Sequence, residues 1–223
     1  HEAEWKEFRF LTQLELWAYD TRVRLFLPKT RDTRIVILDI DEKSLNAEGR
    51  WPWGRNKMAT LIHQLFEKYQ VSVIGFDIAF AEADASSGLP VFEEIAKGEL
   101  KDDPQYQAFF SRNRARLDYD QLFADEIRNE LGVKTMTVGN WPVVLGFAFG
   151  GKTDKAGVLP QPVFMAKALG DMHFRHHTSS GFSGNIAKLQ EAAVAAGHFY
   201  PALDIDGVTR KVPMFMRYGD GFY

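Results

Sequence analysis

Cysteine is absent from this chain. That excludes a disulfide framework, thiolate zinc centres and a thiol nucleophile, and it suits a periplasmic home as well as a cytoplasmic one. Long apolar runs are missing too. The longest, VSVIGFDIAF and WPVVLGFAFG, are of strand length and broken by Gly or Asp, short of the roughly 18 residues a membrane span needs. No secretory leader is legible, and both ends read as those of a piece excised from a longer protein. There is no basic excess, the formal net charge being -3, so nucleic acid is not an expected partner. No GxSxG elbow, P-loop or GxGxxG occurs, and serine nucleophiles and nucleotide cradles lose their support. Internal repeats and low-complexity tracts are missing as well.

What is present is ordinary globular material. Hydrophobic residues make up 45% of the 223, enough for one domain spanning 1–223 to bury a core without staples. Residues 4–26 read as one long helix, with Phe8, Leu11, Leu14, Ala18 and Leu25 as an apolar stripe. Its stripe suits either packing on a core or a dimer stem, and Pro28 ends it. RIVILDI (34–40) is apolar on both faces, as a central strand would be. Residues 56–69 place Met58, Leu61, Ile62, Leu65, Phe66 and Tyr69 at helical spacing, and VSVIGFDIAF (71–80) reads as a second buried strand. Strand, helix, strand of these lengths predicts a right-handed parallel βαβ unit. Residues 85–118 form a polar excursion with short helices. A helix over 118–131 carries Phe123, Ala124, Ile127 and Leu131, and WPVVLGFAF (141–149) is a third buried strand. After an irregular stretch and a helix at 185–194, the chain ends in two strands joined by a turn at Asp204–Gly207, where DIDG carries turn chemistry. These readings predict an α/β fold: a largely parallel or mixed central sheet with helices on both faces, a long N-terminal helix and a C-terminal antiparallel hairpin.

In such sheets ligands gather beyond the carboxyl ends of the strands. Asp39 and Asp41 close the first predicted strand and Asp77 nears the end of the second, so three carboxylates could converge, bind Mg²⁺ or share a proton. The sharpest enzymatic version is a Mg-dependent phosphohydrolase of the haloacid-dehalogenase kind. LDIDEKS resembles that family's pair of aspartates, with Asp39 and Asp41 as nucleophile and acid/base. The later lysine and acidic pair that this family needs are not found. The structural alternative makes Asp41 a cap for the segment EKSLNAE and pairs Asp39 or Asp77 with an arginine. His173, His176 and His177 are close in sequence, but they fall in loop-like sequence with no fourth ligand, so no metal site is expected and no cofactor is implied.

GRWPWGR is the least typical stretch. Pro52 pushes Trp51 toward an extended conformation, and Trp51 and Trp53 should then point in roughly opposite directions. The motif can rivet a loop, or it can line a ligand pocket with Arg50 or Arg55 as anion contacts. Asp206 and Arg210 are placed to pair and lock the last hairpin.

Five blocks in order resemble the type-two CHASE family of extracytoplasmic sensory domains. LELWAYDTRVRL is similar to its opening helix, through Glu15, Tyr19, Asp20 and Arg22. VILDIDEKSLNAEGRWPWGR resembles its strand, Ile-Asp-x-x-Ser and Gly-x-Trp-Pro-Trp-x-Arg. VIGFDIAFAEAD is similar to its Ile-Gly-Phe-Asp strand and the acidic residue that follows. Asp120 to Ile127 resembles a helix start, and DIDGVTRKVP the Asp-Gly-Val-x-Arg-x-x-Pro ending. The resemblance implies a sensor rather than an enzyme. It would lie on the periplasmic or extracellular face of the bacterial inner membrane, held by flanking spans, with a cytoplasmic nucleotide cyclase, histidine kinase or similar output. Its stimulus would be an unidentified small molecule or a physical one, and the apolar stripe of the N-terminal helix, read as a dimer stem, leads to an expected homodimer through that helix. Asp39, Asp41, Trp51, Trp53, Arg55 and Asp77 are the candidate ligand contacts, with Asp206 and Arg210 structural.

Overall fold

The structure, a computed structural model, describes residues 9–28, 30–129, 140–170, 174 and 176–223. The chain divides into two compact units, His1–Ala47 and Glu48–Tyr223. In the first unit, α1 (Arg9–Phe26) is the long helix and α2 (Glu42–Glu48) follows at its end. Residues 1–8, where the N-terminal helix was expected to begin, lie outside the described part. Asp41 accepts hydrogen bonds at Oδ1 from the Ser44 amide (2.8 Å) and the Ser44 hydroxyl (2.6 Å). These bonds cap α2 and hold the Asp41 carboxyl below its usual range.

RIVILDI differs from the expectation. Residues 34–40 form no strand, and Ile35, Val36, Ile37 and Leu38 are exposed, Ile37 at 89%. Apolar character on both faces permits a strand but does not make one: a strand exists only through a hydrogen-bonded neighbour, and the described part of this unit has no strand to offer.

The second unit opens with α3 (Arg55–Glu67), which turns Met58, Ala59, Ile62 and Phe66 inward. The chain continues through β1 (Ile74–Gly75), α4 (Leu89–Lys97), α5 (Pro104–Leu117), α6 (Tyr119–Ile127) and β2 (Val143–Gly150). Then come β3 (Lys155–Ala156), β4 (Phe164–Met165), a 3₁₀ turn at Ala166–Leu169, β5 (His177–Ser179), β6 (Gly181–Ser183) and α7 (Ala187–Ala192). The end is built of β7 (Ala195–His198), β8 (Ala202–Leu203), β9 (Thr209–Lys211), β10 (Met216–Tyr218) and β11 (Gly221–Phe222).

The central sheet is mixed. β2 runs parallel to β1 and to β7, antiparallel to β6, and β6 runs parallel to β3. No residue of β2 is exposed and most are buried, as its two-faced apolar sequence requires. The second predicted strand is much shorter than 71–80: only Ile74–Gly75 join the ladder, and Val73 is exposed. Gly146 lets strand and loop close together, since a Cβ there would lie 2.5 Å from the Phe76 carbonyl oxygen. The core gathers Met58, Ile62, Phe80, Phe123, Ile127, Val143, Leu145 and Leu189. Phe76, Phe80 and Phe123 meet edge to face with centroids 5.5–6.1 Å apart, and Trp141 stacks on Phe66 at 4.5 Å. The helix expected over 118–131 is seen to Ile127; Leu131 lies outside the described residues.

β8 and β9 form an antiparallel hairpin. Gly207 takes φ +79°, open to glycine at little steric cost, and its amide donates to the Asp204 carbonyl at 2.9 Å. Arg210 donates to Asp206 Oδ2 at 2.7 Å and to Asp204 Oδ2 at 3.0 Å. The Arg210 side chain beside Asp206 lowers that carboxyl to about 2.

Candidate functional site

The predicted cluster of carboxylates is not assembled as one site within either unit. Asp39 and Asp41 belong to the first unit and are exposed, and Asp77 belongs to the second, also exposed. Among the described residues, no three His, Asp or Glu side chains gather in a way that would hold a metal ion. His176 and His177 are exposed, and His173 lies outside the described residues.

The tryptophan turn departs from its predicted geometry. Residues 50–52 bend instead of extending, and the Trp51–Pro52 bond is cis. The two indoles do not point in opposite directions as expected: positions two apart share a side even on extended backbone, and here the rings meet edge to face at 5.9 Å. Trp53 Nε1–H donates to the Gly49 carbonyl at 2.8 Å and the ring packs on the core, while Trp51 remains exposed.

Immediately after the turn, the chain enters a half-buried knot of charge with Asp120 at its buried end. Gly54 stands where a cap for α3 belongs and has no side chain to offer. Asp84, 29 residues beyond Arg55, supplies the cap by accepting the Arg55 amide at Oδ2. Asp84 also takes the Ser86 amide at 2.7 Å. Burial alone would raise its carboxyl; these amide hydrogen bonds and the Arg55 charge outweigh it and hold the group below the usual range. The Asp84 amide in turn donates to Asp120 Oδ2 at 2.9 Å. Asp120 sits in the first turn of α6, its side chain 10% exposed, and Arg55 Nε stands 3.7 Å from Asp120 Oδ1, with the arginine side chain 12% exposed. Both of those atoms are buried without a hydrogen-bond partner. The Arg55 guanidinium lies over the Phe80 ring at 4.6 Å and reaches the Glu82 carbonyl oxygen at 3.2 Å. Burial raises the Asp120 carboxyl above its usual range against the pull of the Asp84 amide and Arg55.

A second ion pair flanks the first. Asp118 caps α6 by accepting the Gln121 amide at 2.9 Å, and Lys188, in the first turn of α7, reaches both of its oxygens at 3.0 and 3.1 Å. Asn185 braces the same region. Fully buried, it accepts the Phe80 amide at 2.9 Å and donates to the Gly146 carbonyl at 3.1 Å.

Of the six residues expected at a ligand site, the knot takes in Arg55 alone. Asp84, Asp118, Asp120 and Lys188 were not expected at a site, although Asp120 opens one of the five family-like blocks. Asp118 had a signal, an aspartate just before a helix, and Asp84 lies in the acidic end of VIGFDIAFAEAD. Lys188 had none, because it meets Asp118 across 70 positions. Elsewhere in this unit, a hollow of about 170 Å³ is lined by Phe174, His176, Arg217 and Phe222 among others, away from the tryptophan turn in sequence.

The fold and the knot describe an α/β domain in which Arg55, Asp84, Asp118, Asp120 and Lys188 are engaged with one another or with nearby backbone. The family model of the CHASE2 domain matches residues 4–223, and the chain belongs to that family, which comprises sensory domains of receptor proteins. No curated protein and no solved structure matches it. No helix of the described residues is long and apolar enough to cross a membrane.

Proposed function

We propose that the chain is the periplasmic or extracellular sensory part of a bacterial receptor, held to the inner membrane by flanking spans. It passes a conformational signal to a cytoplasmic output such as a nucleotide cyclase or histidine kinase. The observation that carries this reading is the family match over nearly the whole chain. The domain itself performs no chemistry in this account. A stimulus acts by binding one of two arrangements better than the other, and a ligand moves that equilibrium only by its differential affinity.

α1 is the part proposed to meet a second copy. Leu11, Leu14, Trp17 and Leu25 are exposed along it, and Leu11, Leu14, Ala18 and Leu25 recur at the three-and-four spacing that two paired helices share. Sedimentation of residues 1–223 against residues 27–223 tests the pairing. The longer chain is expected to dimerise and the shorter to stay monomeric; identical behaviour would remove α1 from the mechanism.

A further inference from the structure

The ion knot contains three carboxylates, Asp84, Asp118 and Asp120, against two cations, Arg55 and Lys188. Their partners are unequally shared. Lys188 holds both oxygens of Asp118, and Asp84 is satisfied by the Arg55 and Ser86 amides. Asp120 has one oxygen on the Asp84 amide, while the other is buried, without a donor, and faces Arg55 Nε across 3.7 Å. The groups facing it are thus Arg55 from α3, Asp84 from the loop after β1, Lys188 from α7 and Asp118 from its own helix cap. A buried carboxylate oxygen lacking a donor is the place where a proton gains most, because desolvation and the neighbouring Asp84 charge both oppose ionisation.

We propose that Asp120 is a proton-operated latch: ionised, it is paired with the Arg55 side chain at the start of α3, and one proton taken up on Oδ1 breaks that pairing. The stereochemistry is simple. Protonated at that oxygen, Asp120 presents an O–H to the Arg55 N–H, donor against donor, and the attraction between the two charges is gone. Arg55 keeps its seat on Phe80 and its bond to the Glu82 carbonyl oxygen, so the change is a shift within the knot and not unfolding. Asp84, held low by its amide donors, stays ionised while Asp120 takes up the proton. Burial raises the Asp120 carboxyl in the folded state. Its contribution to stability is therefore complete below about pH 4 and is lost as pH rises through the raised value. Use of the latch as a signal rests on the sensory reading; the latch itself is measured on the chain alone, so the two can fail separately.

The test is an NMR titration of the chain from pH 7.5 to 4.5. It follows the Asp84 and Arg55 amides and the Arg55 Nε–H. They are expected to shift together with one midpoint above the ordinary carboxylate value of about 4, and to stay still in Asp120→Asn. Asp84→Asn, which removes the neighbouring negative charge and leaves Asp120 in place, is expected to lower the midpoint. Signals that do not move in the unaltered chain, or that move equally in Asp120→Asn, overturn the latch. A midpoint that Asp84→Asn leaves unchanged or raises overturns it as well.

Discussion

Phe123→Ala is expected to remove about 3–5 kcal/mol of stability, with a fall in Tm of roughly 6–20 °C for a chain of this size. Phe123 is fully buried on α6 and touches Phe76 and Phe80 edge to face. Those two rings lie on the segment that leaves β1, and Phe80 also carries the Arg55 guanidinium. Truncation therefore takes away transfer energy, opens a cavity that helix and sheet close only in part, and strips the edge contacts from two neighbouring rings. Urea unfolding followed by circular dichroism measures it. Phe109→Ala, on the exposed side of α5, is the control and is expected to change stability by less than about 0.5 kcal/mol. Similar losses for the two variants would mean that the aromatic cluster is not the packed centre.

Arg55→Ala is expected to destabilise by about 3 kcal/mol near neutral pH, the range found when one partner of a buried ion pair is removed. The loss comes less from the missing attraction than from what remains. Asp120 would keep a buried, donor-poor oxygen with no cation at hand, and Phe80 would lose its cover. Arg55→Lys is expected to fall between the two, since a lysine restores charge but neither the flat guanidinium on Phe80 nor its several donors. The sign of the pH dependence follows from Asp120. Without Arg55 its carboxyl rises further, so the variant regains stability on acidification by taking up a proton, and its deficit is expected to be smaller at pH 5 than at pH 7.5. A deficit that is constant with pH would disconnect Arg55 from Asp120.

The sequence made some parts of this architecture plain for physical reasons. WPVVLGFAF is apolar on both faces and has neighbours on both sides, and it became β2. The 3.6-residue pattern from Met58 to Phe66 became α3 because one face meets the core. DIDG became the turn between β8 and β9, with Gly207 at positive φ, and a further hairpin, β10 with β11, follows it. RIVILDI shows the limit: its composition is as strand-like as that of β2, but pairing is a property of a neighbour, not of a segment. The site was less legible than the fold. Aspartates at predicted strand ends drew attention to Asp39, Asp41 and Asp77. Asp84 and Asp118 instead serve helix starts, where the first amides of α3 and α6 need acceptors. The partners Arg55, Asp84, Asp120 and Lys188 come from four separate segments, and only packing brings them together.

The claim that this domain receives a stimulus without transforming it is tested most directly by a thermal-shift titration against small metabolites and ions, with each hit recovered and weighed by mass spectrometry. A true stimulus ligand at a hundred times its Kd is expected to add about 2.7 kcal/mol. That corresponds to a rise in Tm of roughly 5–11 °C, and the compound should be recovered unchanged. Recovery of a hit in altered form, such as a phosphate ester split in the presence of Mg²⁺ and left intact by Asp39→Asn, would contradict the account.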